Sequence, residues 1–125
     1  MHGQRHVIGV IDDDASVRSA LLRLFRTAAL DVSLFASAEE YLASPDRVAV
    51  DCLVIDVCLP GLGGLGLLER VQAESARPCL VITGQEDRQV QDRALAQGAI
   101  GFFLKPFDNH ALRTVVLRAL GLARS

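Results

Sequence analysis

DCLVIDVCLPGLGG, residues 51–64, is the stretch that decides how this chain is read. Cys52 to Ile55 form a continuous apolar run, the pattern of a strand buried on both faces in a parallel sheet. The run ends on Asp56, a carboxylate placed where the strand leaves the core. Pro60 and the glycines Gly61, Gly63 and Gly64 then interrupt regular structure and make a loop. The crevice outside the carboxyl ends of such strands is where open α/β sheets bind ligands. An aspartate ending a strand is more often a turn former or a helix cap than a reactive group. The ends of the other strands therefore carry the decision.

Upstream, Val7 to Ile11 is a second apolar run and ends on Asp12, Asp13 and Asp14. Asp14 is placed to cap the helix that follows, in which Val17, Leu21 and Leu24 recur at helical spacing. Asp31 to Ala36 is a weaker, mixed run, as an exposed edge strand would be. Ser37 with Glu40 is a capping-box pattern opening a short helix that contains Tyr41 and Leu42 and stops near Pro45.

Downstream, Leu65, Leu68 and Val71 share one helical face. Cys79 to Ile82 is a third apolar run, ending on Thr83 and Gly84. Asp87 to Gln97 reads as a helix with a thin apolar seam of Val90, Ala94 and Leu95, terminated by Gly98. Ile100 to Leu104 is the fourth run, ending on Lys105 and Pro106. Asp108 can cap a last helix whose Leu112, Val115, Val116, Ala119 and Leu120 fall on one stripe.

Strands and helices alternating five times predict an α/β fold: a (βα)5 flavodoxin-like, doubly wound parallel sheet. Strand order 2-1-3-4-5 puts the weak second strand at an edge and the switch point between strands one and three. In such a sheet Asp12, Asp13, Asp56, Thr83 and Lys105 all reach one rim. Three converging carboxylates repel one another unless a cation lies among them. Hard oxygen ligands with room for water suit magnesium, Mg2+, better than a softer metal. An ionised aspartate can attack phosphorus, and a lysine and a hydroxyl can offset charge on the transferred phosphoryl oxygens. Each residue alone has an ordinary explanation as turn, cap, strand-end hydroxyl or solvated tip. Their arrival together at four strand ends does not.

The set IDDD at 11–14, VIDVCLPGLGG at 54–64, VITG at 81–84 and FFLKPF at 102–107 resembles the receiver domain of two-component response regulators. The resemblance spans nearly the whole chain. It implies that Asp56 accepts a phosphoryl group from a sensor histidine kinase or a histidine phosphotransfer protein. It implies that Asp12 and Asp13 hold magnesium with Asp56, helped by the backbone carbonyl of Cys58, and that Thr83 and Lys105 contact the phosphoryl group. Thr83 and Phe102 fall on the family's switch positions and Pro106 on its cis-proline position, which is chemically admissible because X–Pro bonds adopt cis cheaply.

The thin seam of the fourth helix marks it as the element easiest to shift. The readout is therefore expected on the face of helix four, strand five and helix five. There a downstream partner, or a second copy of the chain in a phosphorylation-dependent homodimer, would dock, with Arg93 and Arg113 as exposed contacts. Cys58, Leu59 and Gly63 depart from the family's commonest residues. Cys58 and Gln85 flank the expected path of attacking water and so bear on the lifetime of the phosphorylated state. Phe102 lacks a hydroxyl, so a switch there would rest on ring packing.

Composition narrows the alternatives. The chain has 125 residues, 50% of them hydrophobic, enough for one core, and a net charge of −2. That charge, with aromatics at 5% and no tryptophan, argues against direct nucleic-acid binding. No apolar run approaches the roughly 20 residues of a membrane span. The amino terminus does not read as a signal peptide. Three cysteines without zinc spacing suit free thiols, and a cytoplasmic domain is expected.

Residues 1–125 are expected to be a single receiver domain with no output domain, either stand-alone or excised, and a signalling phosphoacceptor, not a turnover enzyme. A phosphohydrolase with an aspartyl nucleophile would want a second acid at position 58, where Cys58 stands. A flavin carrier would want a Ser/Thr/Gly phosphate loop where Asp12 to Asp14 would repel phosphate. A receiver-like module that works unphosphorylated would not need the intact set of acids, threonine and lysine.

Overall fold

The computed structural model describes residues 5–75 and 77–122. Residues 1–4, which enter the reading of the amino terminus, lie outside the described residues. Five strands, β1 (Val7–Ile11), β2 (Asp31–Phe35), β3 (Cys52–Asp56), β4 (Cys79–Thr83) and β5 (Gly101–Leu104), form one parallel sheet in the order β2-β1-β3-β4-β5. Between and after them run α1 (Ala15–Arg26), α2 (Ala38–Ala43), α3 (Gly64–Glu74), α4 (Arg88–Ala96) and α5 (Asn109–Ala119). This is the flavodoxin-like arrangement expected from the alternation of apolar runs and helical stripes.

The helix starts follow from the capping residues. The side chains of Asp14, Ser37, Asp87 and Asp108 each accept from an amide in the first turn of α1, α2, α4 and α5 respectively. At α2 the carboxylate Oε1 of Glu40 reaches back to accept from the Ala36 amide at 3.0 Å, closing a capping box displaced by one residue.

The sheet separates two apolar layers. On one face Ile11, Leu53, Ile55, Val81 and Ala94 pack with Tyr41, Leu67, Leu68 and Val71 of α2 and α3. On the other, Ile8, Val10, Val54, Leu80 and Ile82 pack with Leu21 and Phe25 of α1 and Leu112 and Val116 of α5. Each fully buried Val, Leu, Ile or Phe among them contributes about 1.5–3 kcal/mol of hydrophobic stabilisation before entropy is counted.

Three details differ from the sequence reading. The apolar run of β5 is not buried: Gly101 to Phe103 are half-buried and Leu104 is 40% exposed, because the order that puts β2 at one edge puts β5 at the other. Leu95 does not join the α4 seam; Ala94 faces the core and Leu95 is 45% exposed. Phe25 and Leu67, both fully buried, belong to the core and lie beside the stripes chosen for α1 and α3. A 3-10 turn, Pro45–Ala49, also follows α2, with Pro45 at its start, where a missing amide costs nothing.

Candidate functional site

Parallel pairing brings the carboxyl ends of β1, β3, β4 and β5 to one rim, because every strand runs in the same direction. Asp56 lies opposite Ile82, and Thr83 opposite Leu104. Ile11 lies opposite Ile55, so Asp12 follows directly beside Asp56. One carboxylate oxygen from each of Asp12, Asp13 and Asp56 falls within 4.8 Å of the others. Asp12 and Asp56 are buried (0% and 2% exposed), whereas Asp13 is exposed.

The two buried acids are held differently. Asp12 Oδ1 accepts from the Asp14 amide at 2.8 Å, and its backbone carbonyl accepts from Arg18 Nη1 at 2.7 Å. Asp12 Oδ2 lies 2.9 Å from Lys105 Nζ, an ion-pair distance, and among the described residues that buried oxygen has no well-aligned hydrogen-bond donor. Asp56 Oδ1 accepts from the Cys58 amide at 3.1 Å, and Oδ2 stands 3.4 Å from Lys105 Nζ. Lys105 thus bridges the pair and sits closer to Asp12 than to Asp56.

Burial pushes the Asp56 carboxyl above the usual carboxylate range. The Cys58 amide works against that rise, Asp12 adds to it, and Lys105 again opposes it. For Lys105, burial works against its charge, but the two carboxylates prevail and its pKa is raised. Three carboxylates, one of them Asp12 with a buried oxygen that lacks an aligned donor, fit a small, hard divalent cation of the magnesium type.

Thr83 is 2% exposed. Its Oγ1 accepts from the Gln85 amide at 3.2 Å and lies 4.0 Å from Cys58 Sγ. Val81, opposite Phe102, packs in the layer that Phe102 also borders, so Thr83 and Phe102 share one face of the sheet one step apart. Phe102 is half-buried, and the Lys105–Pro106 peptide is cis. Cys58 is exposed, and its thiol borders the site between Asp56 and Thr83.

The loop after Asp56 needs its glycines: Gly61 and Gly63 adopt φ of 69° and 82°. A Cβ on Gly64 would run into the Asp56 carbonyl, so the α3 start can pack directly under the acid.

A sequence model of the response regulator receiver domain matches residues 8–117. This chain belongs to that family. It is a response regulator receiver domain of two-component systems, and among its described residues no helix is long and apolar enough to cross a membrane.

Nodulation protein W of Bradyrhizobium diazoefficiens is 41% identical over 118 residues, covering 90% of this chain and 50% of that protein. Response regulator protein TmoT of Ectopseudomonas mendocina is 38% identical over 125 residues, covering 98% of this chain and 56% of that protein. This receiver domain therefore spans about half the length of these curated relatives. Among solved structures, a response regulator receiver protein from Pseudoalteromonas atlantica superposes with a TM-score of 0.85 at 26% identity, covering 94% of this chain and 99% of that one.

The sequence pointed to the acids, Thr83, Lys105, Phe102 and Pro106, but not to Arg18. Arg18 lies off the apolar stripe of α1, and its guanidinium holds the Asp12 carbonyl. The signal that could have found it is its position one turn into the helix that begins beside the acids. Arg113, expected as an exposed contact, is half-buried and directs Nη1 toward Thr27 Oγ1 at 3.4 Å, on the α1 side of α5.

Proposed function

We propose that this receiver domain accepts a phosphoryl group on Asp56 from a phosphohistidine of a sensor kinase or phosphotransfer protein. The observation that carries this reading is the buried pair Asp12 and Asp56, bridged by Lys105, with Asp13 completing a three-carboxylate cluster. In the transfer an Asp56 oxygen forms the new P–O bond as the P–N bond to the donor imidazole breaks, and the imidazole keeps that electron pair.

Asp12, Asp13, Asp56 and the carbonyl of Cys58 would hold magnesium, which when bound supplies positive charge beside the phosphoryl oxygens and favours the ionised form of Asp56. The Cys58 amide orients the nucleophile through Oδ1. Lys105 stands where it can offset charge on the transferred group, and the Thr83 hydroxyl, already beside Cys58, can donate to it.

Phosphorylation would draw the Thr83 hydroxyl from Gln85 toward the new oxygens and let the Phe102 ring turn inward. That would bias two packings of α4, β5 and α5. The surface there supports a docking role: Leu95, Ile100 and Leu104 are 45%, 44% and 40% exposed. A downstream protein or a second copy of this chain is the proposed occupant, without direct contact of this domain with nucleic acid. A cytoplasmic location fits the free thiols of Cys52, Cys58 and Cys79.

The test is intact mass after incubation with magnesium and acetyl phosphate. The parent should gain one phosphoryl group, and Asp56→Asn should gain none. Equal labelling of both proteins would overturn the assignment of Asp56.

A further inference from the structure

The loop that carries Cys58 out of the site is exposed at Pro60, Gly61 and Leu62 and is held by few bonds of its own. Within it Gly63 N donates to Pro60 O at 3.4 Å and Gly64 N to Val57 O at 3.2 Å, while Leu59 is buried. The only tether from a distant element that reaches its tip among the described residues comes from α2. Glu39 Oε2 accepts from the Leu62 amide at 2.8 Å, across 23 residues of sequence.

The neighbouring acid, Glu40, is committed to the start of its own helix through Ala36 N. Two glutamates in one helical turn therefore have separate tasks, one local and one long-range. Gly61 completes the arrangement, because a Cβ there would fall 2.5 Å from Glu39 Oε2. The space that lets the carboxylate in is the space a side chain at 61 would occupy. The same hydrogen bond is the largest cause holding the Glu39 carboxyl below its ordinary range.

We propose that Glu39 is a positioning residue for the phosphoacceptor loop, fixing its tip at Leu62 while Val57 N on Ile82 O at 2.9 Å fixes its base, so that the Cys58 carbonyl and amide between them face the acidic cluster. The proposal rests on the phosphoacceptor reading of Asp56 and adds to it a residue on a different element. Its physical basis is preorganisation. A ligand carbonyl held in place binds a cation without first ordering a loop, and small misplacements near a reacting centre lower rates steeply. A carboxylate accepting a backbone amide is a charge-assisted bond, and Leu62 N has no other protein acceptor in the loop.

The test compares the parent with Glu39→Ala and Glu39→Gln. Amide exchange at Leu62 should accelerate by about tenfold or more in Glu39→Ala and return near the parental rate in Glu39→Gln, which keeps an acceptor oxygen. Calorimetric titration with magnesium alone should show affinity weakened by about threefold to tenfold in Glu39→Ala and recovered in Glu39→Gln. Melting temperatures should stay close together, since Glu39 is exposed.

Unchanged exchange at Leu62, or faster exchange with parental magnesium affinity, overturns the proposal. Equal weakening in both variants does so as well, because it would reflect loss of charge and not of the bond. None of these readouts requires phosphorylation. A parent that binds magnesium but takes no phosphoryl group would therefore refute the function of Asp56 and leave the role of Glu39 decided separately.

Discussion

Asp56→Asn should stabilise this domain at neutral pH in the absence of divalent cations, although it removes a partner of Lys105. Asp56 is 2% exposed, and its carboxyl is raised first by burial and then by Asp12. The Cys58 amide and Lys105 compensate only in part. Asparagine keeps the shape and an acceptor oxygen for the Cys58 amide. Lys105 keeps its nearer partner, Asp12 at 2.9 Å, so no buried cation is orphaned. Replacing a buried, incompletely compensated ion with a neutral group of the same volume gains about 1 kcal/mol or more. With an unfolding entropy of about 2.1 cal/mol/K per residue, 1 kcal/mol in a chain of this size moves the melting temperature by about 4 °C.

The pH dependence identifies the cause. A carboxyl whose folded pKa lies above its unfolded one holds its proton more tightly in the folded state. Below the unfolded value both states are protonated, and the parent loses nothing relative to the variant. As pH rises through the window from the ordinary aspartate value to the raised folded value, the parent loses stability that Asp56→Asn retains. The melting difference in EDTA should therefore be near zero at about pH 3 and reach its full size by neutrality. Adding magnesium should shrink or reverse it, because a ligand that binds the folded parent stabilises that protein alone. A variant less stable than the parent at neutral pH without metal, or a gain that does not fade in acid, would refute this account of the site's electrostatics.

Three further outcomes are expected. Asp13→Ala should abolish the rise in melting temperature that magnesium gives the parent and leave Asp56 unlabelled by acetyl phosphate, as read by melting curves and intact mass. Lys105→Ala should remain folded but less stable at neutral pH, where two buried carboxylates are left without their cation. Since the Lys105 pKa is raised, its contribution is fully present below the ordinary lysine value and is lost as pH rises through the folded one, so the two melting temperatures should converge in strong alkali. Thr83→Val keeps the shape of a side chain that is 2% exposed but deletes its hydroxyl. Phosphodonor should change amide exchange across residues 84–107 in the parent and change it far less in this variant.

What the sequence made legible was burial along a single element. Cys52 to Ile55 and Cys79 to Ile82 are apolar at every position because helices cover both faces of β3 and β4, and both strands are fully buried. Ile100 to Leu104 carries the same signature at an edge, where Ile100 and Leu104 remain over a third exposed. An apolar run at an edge cannot be told from a buried one by composition, and the proposed docking face on α4, β5 and α5 would account for the apolar residues left exposed there.

Relations between elements left no periodic trace. Lys105 lies nearer Asp12 than Asp56, Arg18 holds the Asp12 carbonyl, and Glu39 reaches Leu62 across 23 residues. Each depends on the distance between two elements set by packing and not on a spacing along one. The residues of the site could be named from the strand ends because a parallel sheet must deliver all its carboxyl ends to one rim. The residues that hold the site in shape sit on helices, and a helix turns its polar positions toward water and toward the rim with the same 3.6-residue period. On α2 that ambiguity falls between adjacent glutamates. Glu40 fits the capping pattern and was legible, while Glu39 beside it fits no such pattern and makes the longer contact.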